Sequence, residues 1–267
     1  MSSSKTRWLA RSIVVAVCLP GVVIIGAIAR SEFVLLRQSR QLRDGDTHQR
    51  AAVMDHIGQE QQQAGATLVL QTLRDDQEAS VLLAAASAAA RLQLVEAADL
   101  LQRRADEAES GLIKAELIVW AVCTSQRDLR LRPWLDKHAT ADDAWTQAAA
   151  AAGHLWLGSP EAGETLLDIA LNGEEEVAGF AWRHFQSAGA IAAELAGRGD
   201  LVKRIHSRPR AASVDQIRSW WTQSVDASFL VDAMIHKASR PHGWRDVDKL
   251  LHAREYAAAI LLGRELP

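Results

Sequence analysis

Small and apolar residues recur along the middle of the chain at the spacing of one helix face. Val81, Leu82, Ala85, Ala88, Ala89 and Leu92 fall on one side of a helix over Ala79–Leu92. Leu112, Ala115, Ile118, Val119 and Val122 do the same over Gly111–Cys123. An acidic or polar turn precedes each such stretch: Asp75-Asp76-Gln77-Glu78, Glu107–Ser110, Ala141-Asp142-Asp143 and Glu174-Glu175-Glu176. First helices are therefore predicted to start near residues 79, 111, 144 and 177, at steps of 32, 33 and 33. Second helices are predicted near Val95, Gln126, Pro160 and Ala190, in almost the same rhythm.

A fixed period of this length is the mark of a stacked helical array. One two-helix unit cannot bury its apolar stripe alone, so neighbours must share a continuous core. Ala84-Ala85-Ala86 and Ala148–Ala152 suit inner helices, because small side chains allow helix axes to approach closely. Outside the N-terminus there is no strand-like alternation longer than a few residues, which points to an all-α chain.

The turn-and-helix pattern Asp75-Asp76-Gln77-Glu78-Ala79-Ser80-Val81-Leu82-Leu83-Ala84-Ala85-Ala86, followed by Ala97-Ala98-Asp99-Leu100-Leu101 and echoed at Ala162–Leu167 and Leu171, resembles HEAT-like repeats. Phycobilin lyases contain repeats of this kind. The resemblance covers roughly residues 47–200 and implies an α-α superhelix, a right-handed solenoid of about five helix pairs. The arginine usual just after the turn acid is missing from Glu78-Ala79-Ser80-Val81, which keeps tetratricopeptide-like units in contention. Their full tryptophan, glycine and tyrosine pattern is missing too. No catalytic signature of the lyases is present to carry over.

The N-terminus has a different character. Residues 1–11 form a short basic tail, and Ser12–Ala29 is a run of 18 residues without a charge. As a helix it would rise roughly 27 Å, close to the apolar thickness of a bilayer. Trp8 stands where an interfacial aromatic would sit, and Arg11 and Arg30 bracket the run. Residues 12–30 are thus expected to be a transmembrane signal-anchor. A signal peptide cleaved after Ala27-Ile28-Ala29 is the competing reading. The short basic tail favours a cytoplasmic N-terminus, although arginines on both sides nearly balance. That orientation would place the repeats outside the cytoplasm, for instance on the outer side of a bacterial inner membrane.

Residues 31–46 read as a juxtamembrane helix and linker, residues 47–199 as the repeats, and residues 200–267 as a divergent C-terminal helical part. Thr47 is a candidate cap for the first repeat helix. His48–Ile57 and Gln62–Leu73 would form a degenerate end unit. Ser213 would cap a helix through Trp220-Trp221 to Ser224, and Asp226 a further one.

A net charge of −3 gives no global basic field, so nucleic acid is not an expected partner. Nine histidines show neither His-x-x-x-His nor cysteine-pair spacing, so no metal site is expected. Cys18 and Cys123 are placed too differently to form a disulfide framework, and Cys123 reads as a small core residue. Neither a nucleophile elbow nor a phosphate loop occurs, so neither catalytic residues nor a cofactor is expected.

The expected function is binding. Asp142, Asp143, Glu174 and Glu175 recur with the repeat and should align as an acidic strip for a basic protein partner, besides favouring the helix dipoles. Arg208 and Arg210 form a basic turn, and Trp220 and Trp221 are candidate aromatic anchors, one of which a helix normally turns into the core. The chain is thus read as a membrane-tethered, non-catalytic solenoid scaffold. A HEAT-like lyase-type enzyme or maturation factor, or a secreted binding domain, are the alternatives.

Overall fold

The computed structural model describes residues 33–125, 128–207 and 211–230. Among these residues every regular element is helical and none is a strand. Helix α1 covers residues 33–44. It is followed by α2 (Thr47–Gln59), α3 (Ala66–Asp75), α4 (Ala79–Arg91), α5 (Ala98–Glu107), α6 (Gly111–Thr124) and α7 (Arg132–Ala139). Then come α8 (Ala144–Trp156), α9 (Glu161–Asn172), α10 (Glu175–Leu195), α11 (Gly199–His206) and α12 (Ala211–Ser224).

The even-numbered helices α2, α4, α6, α8 and α10 form a row in which each packs against the next. The odd-numbered helices flank the row. Helix α3 packs on α4, α5 on α6, α7 on α8, α9 on both α8 and α10, and α11 on α10. The row is parallel and in register. Gly58, at the end of α2, lies so close to the end of α4 that a Cβ there would come within 2.9 Å of the Ala88 Cα. At the other end of the row, Trp145 of α8 and Phe180 of α10 meet edge to face at 5.6 Å.

Composition explains the layering. Residues 81–90 of α4 are all buried, and six of those ten are alanine. A helix enclosed on every side, with neighbours this close, has room for little more than methyl groups. Aromatic side chains take over towards the C-terminus, where Phe180, Trp182, Phe185, Trp220 and Trp221 fill the core. There large rings pack between the helices, as where Phe185 meets Trp221 at 5.0 Å.

The turns inside the units repeat as faithfully as the helices. Gln61, Gln93, Gly158 and Gly197 all have positive φ, at 49°, 56°, 88° and 69°. Each follows an even-numbered helix and closes it with the same pair of backbone bonds. In the α4 turn these are Leu94 N to Ala89 O at 3.0 Å and Gln93 N to Ala90 O at 3.1 Å. This is a Schellman closure, which satisfies carbonyls that the helix end leaves open. Short 3₁₀ turns, Gln63–Gly65, Val95–Ala97 and Leu129–Leu131, then lead into α3, α5 and α7.

The helix starts predicted at Ala79, Gly111 and Ala144 match α4, α6 and α8. The second helix predicted near Ala190 does not exist as such. Helix α10 runs unbroken from Glu175 to Leu195, and the turn comes at Ala196-Gly197. Ser187-Ala188-Gly189 is a buried small-residue stripe inside α10, not a break. The cap of α2 is Asp46 and not Thr47, because Asp46 and Gln49 form a reciprocal capping box. Helix α12 begins at Ala211, before Ser213, and packs against α9. Asp226 does cap the turn after it, accepting from Phe229 N at 2.8 Å.

No helix among the described residues is long and apolar enough to cross a membrane. The basic tail 1–11 and the predicted anchor 12–30 lie outside the described residues, as do residues 231–267.

Candidate functional site

The starts of the row helices lie along one ridge of the stack, and the acidic turns lie there with them. Some of these acids hold the fold together. Asp46 Oδ1 accepts from Gln49 N at 2.8 Å. Asp76 pairs with Arg50 of α2 at 2.6 Å and accepts from Glu78 N at 2.9 Å. Arg104 of α5 donates to the Asp76 carbonyl, so this turn is gripped from both neighbouring units. Asp143 accepts from Thr146 N at 2.9 Å and from the Thr146 hydroxyl at 2.5 Å. A Cβ on Gly111, the first residue of α6, would sit 2.7 Å from Asp143 Oδ1. The Asp143 carboxylate thus stands beside two helix N-termini, where both dipoles favour its charge.

The other acids project outward. Asp142, Glu174, Glu175 and Glu176 are exposed, and no side chain caps α10 at Glu174. Trp145, in the first turn of α8, packs on Phe180, in the second turn of α10, so the Asp142-Asp143 and Glu174–Glu176 turns lie at the same end of the row. Of the predicted strip, Asp143 is a structural cap, and Asp142, Glu174 and Glu175 form the outward part.

Two open grooves lie along the same ridge. One of about 470 Å³ is lined by Ser39, Arg43, Arg50, Gln71, Asp75 and Glu78, among others. The next, of about 440 Å³, includes Leu82, Arg104, Glu107, Glu109 and Ile113. Both are polar clefts between successive units. A third, of about 300 Å³, opens between α7, α8 and α9 beside His154, Ser159 and Glu161.

Trp220 and Trp221 are not an exposed anchor. They are 7% and 1% exposed. Trp221 Nε1 donates to the Pro160 carbonyl at 2.8 Å, and its ring meets Phe185 at 5.0 Å. Their work is to seat α12 on α9 and α10. The reason is geometric: Val214, Ile217, Trp220 and Trp221 share one face of α12 and are buried together, while Ser219, Thr222, Gln223 and Ser224 stay exposed. Arg208 and Arg210 lie outside the described residues. Cys123 is half-buried at the edge of the core.

One polar cluster escapes the reading of isolated motifs. Asp106 Oδ1 lies 3.1 Å from His138 Nε2 and accepts from Trp134 Nε1 at 3.2 Å, tying α5 to α7. Asp106 and His138 are 32 residues apart, one repeat period, so they occupy equivalent places in successive units. Pairing residues one period apart is the signal that finds them. A second pair, His154 and Asp136 at 3.1 Å, ties α8 to α7. Burial holds both imidazoles below the usual histidine range, against the pull of their aspartates. His184, wholly buried in α10 against Phe180 at 4.4 Å, is pushed down to about 3 by burial and then by the Arg183 charge. Among the described residues no group of three or more histidine, cysteine or carboxylate side chains could hold a metal ion.

Comparison with protein-family models, curated proteins and solved structures finds no match to the chain.

Proposed function

We propose that this chain is a membrane-tethered, non-catalytic helical-repeat scaffold of the HEAT-like kind, and that its ridge of helix starts binds a basic segment of a protein partner. The observation that carries the reading is the outward carboxylate row of Asp142, Glu174 and Glu175 at neighbouring helix starts. Aligned like charges raise the local concentration of an oppositely charged partner and fix its register more than they add raw affinity. The open, charge-lined grooves of the earlier units suit an extended chain better than a buried small molecule. The uncharged run Ser12–Ala29 supports the tether.

The test is site-specific photocrosslinking in intact cells. A photoreactive residue at position 142 or 174 of the full chain should yield a defined protein adduct that Glu174→Lys or Asp142→Lys, placed at the other site, abolishes. The same probe at exposed Gln93, on the opposite ridge, should yield none. Equal labelling from both ridges, or labelling indifferent to charge reversal, counts against the scaffold. Protease accessibility of intact against lysed cells reports the orientation.

A further inference from the structure

Helix α1 offers a solvent face that the stack leaves uncovered. At about 100° per residue, Phe33, Leu36, Arg37 and Arg40 fall within roughly 100° of arc. All four are exposed. Phe33 at 69% and Leu36 at 61% are the two most exposed large apolar side chains among the described residues. The opposite side of α1 is pinned: Gln38 is 4% exposed and donates to Gln62 at 3.0 Å, and Leu42 packs on the core. The outward direction of the face therefore follows from the fold. Arg43 flanks it, and Asp44 is its one acid, at the far end of the helix. Among the described residues no carboxylate pairs with Arg37, Arg40 or Arg43.

Apolar side chains beside a row of arginines on one helix face match the water–lipid boundary of an anionic membrane. Rings and branched chains enter the acyl edge, while guanidinium forks engage lipid phosphates two bonds at a time. Position argues for lipid over an acidic protein. The uncharged run ends at Ala29, four residues before Phe33, a reach of at most about 14 Å. A bilayer holding that run would leave α1 level with its headgroups. We propose that the Phe33, Leu36, Arg37 and Arg40 face of α1 is a binding surface for anionic lipid headgroups. Through the Gln38–Gln62 bond it orients the first repeat unit against the membrane. The inference rests on the membrane tether proposed above.

The test uses the full chain with vesicles of phosphatidylcholine alone and of phosphatidylcholine mixed with phosphatidylglycerol. Amide exchange over residues 33–44 should slow on the order of tenfold on the anionic vesicles relative to the neutral ones. High salt or Arg37→Glu with Arg40→Glu should remove that protection. Phe33→Ser with Leu36→Ser should weaken it. These side chains are exposed, so the variants should keep the parent helix content and unfolding midpoint. Exchange that is the same on both vesicle types, or untouched by charge reversal, overturns the lipid surface. Flotation with neutral vesicles after alkaline extraction reports the tether by itself. A chain that floats without lipid-dependent protection sinks the lipid surface and leaves the tether standing. A chain that does not float sinks the tether. In that case arginine-dependent binding to the anionic vesicles still supports the surface, and its absence overturns it.

Discussion

The Trp221 indole fills the space that a side chain at residue 163 would need: a Cβ on Gly163 would come within 2.6 Å of its ring. The same indole donates to the Pro160 carbonyl, three residues earlier on the α9 side. Arg218, one turn before it, and Thr222, the next residue, reach Asp168 at 2.5 Å and Glu164 at 3.1 Å. Helix α12 is thus keyed to α9 through one glycine. Overpacking a filled core costs about 1–3 kcal/mol, so Gly163→Ala should destabilise by that amount in urea unfolding. In a Trp221→Phe background the indole Cζ2 and Nε1 that crowd residue 163 are gone, and the cost of Gly163→Ala should shrink. A double-mutant cycle with no coupling would show that the two residues do not share this space.

Gln93 holds a left-handed turn at φ 56° with a side chain, where the matching turns at Gly158 and Gly197 use glycine. The left-handed region costs a non-glycine residue about 1 kcal/mol. Gln93→Gly should therefore raise stability by no more than about 0.5 kcal/mol, after the added freedom of the unfolded glycine is set against the relief. Gln61→Gly should act alike. The measurement is the urea midpoint, and a fall in both variants would mean that the glutamine side chains contribute more than their backbone strain costs.

How far the sequence reveals this molecule depends on which interactions are local. The starts of α4, α6 and α8 are plain because an acidic or polar turn is followed within a few residues by an apolar stripe at helical spacing. The end of α10 is not, because Ser187-Ala188-Gly189 has the composition of a turn and the job of a close helix contact. Local composition cannot separate the two. Trp220 and Trp221 mislead for a related reason: exposure of one face of α12 is decided by α9, some 50–60 residues away. Of the acidic strip, Asp143 and Asp142 are neighbours in sequence with opposite duties, and only the Thr146 bonds distinguish the cap from the exposed acid.

His184 makes stability depend on pH in a definite direction. Its folded pKa, about 3, lies below the ordinary 6.5, so between those values the unfolded chain binds the extra proton. The stability it contributes is whole above about pH 6.5 and is lost as pH falls towards 3, at up to about 1.4 kcal/mol per pH unit. His138 and His154, also lowered, act with the same sign. His184→Leu should flatten the decline of unfolding free energy between pH 6 and pH 4 without abolishing it. An unchanged slope would place the acid sensitivity elsewhere in the stack.

Asp142 and Asp143 allow folding and binding to be separated. Asp143 caps α8 with two bonds to Thr146 and sits beside the start of α6. Asp143→Ala should cost about 1 kcal/mol, within the 0.5–2 kcal/mol span of lost helix caps, while Asp143→Asn should retain most of that stability. Asp142 is exposed and makes no cap, so Asp142→Ala should stay within about 0.5 kcal/mol of the parent. Under the proposed binding the order should reverse, because of the two only Asp142 is fully exposed on the ridge. Asp142→Lys should suppress crosslinking at position 174 in a fully folded chain, whereas Asp143→Asn should leave it intact. Loss of crosslinking with Asp143→Asn but not with Asp142→Lys would mean that the cap, and not the exposed carboxylate, is what the partner depends on.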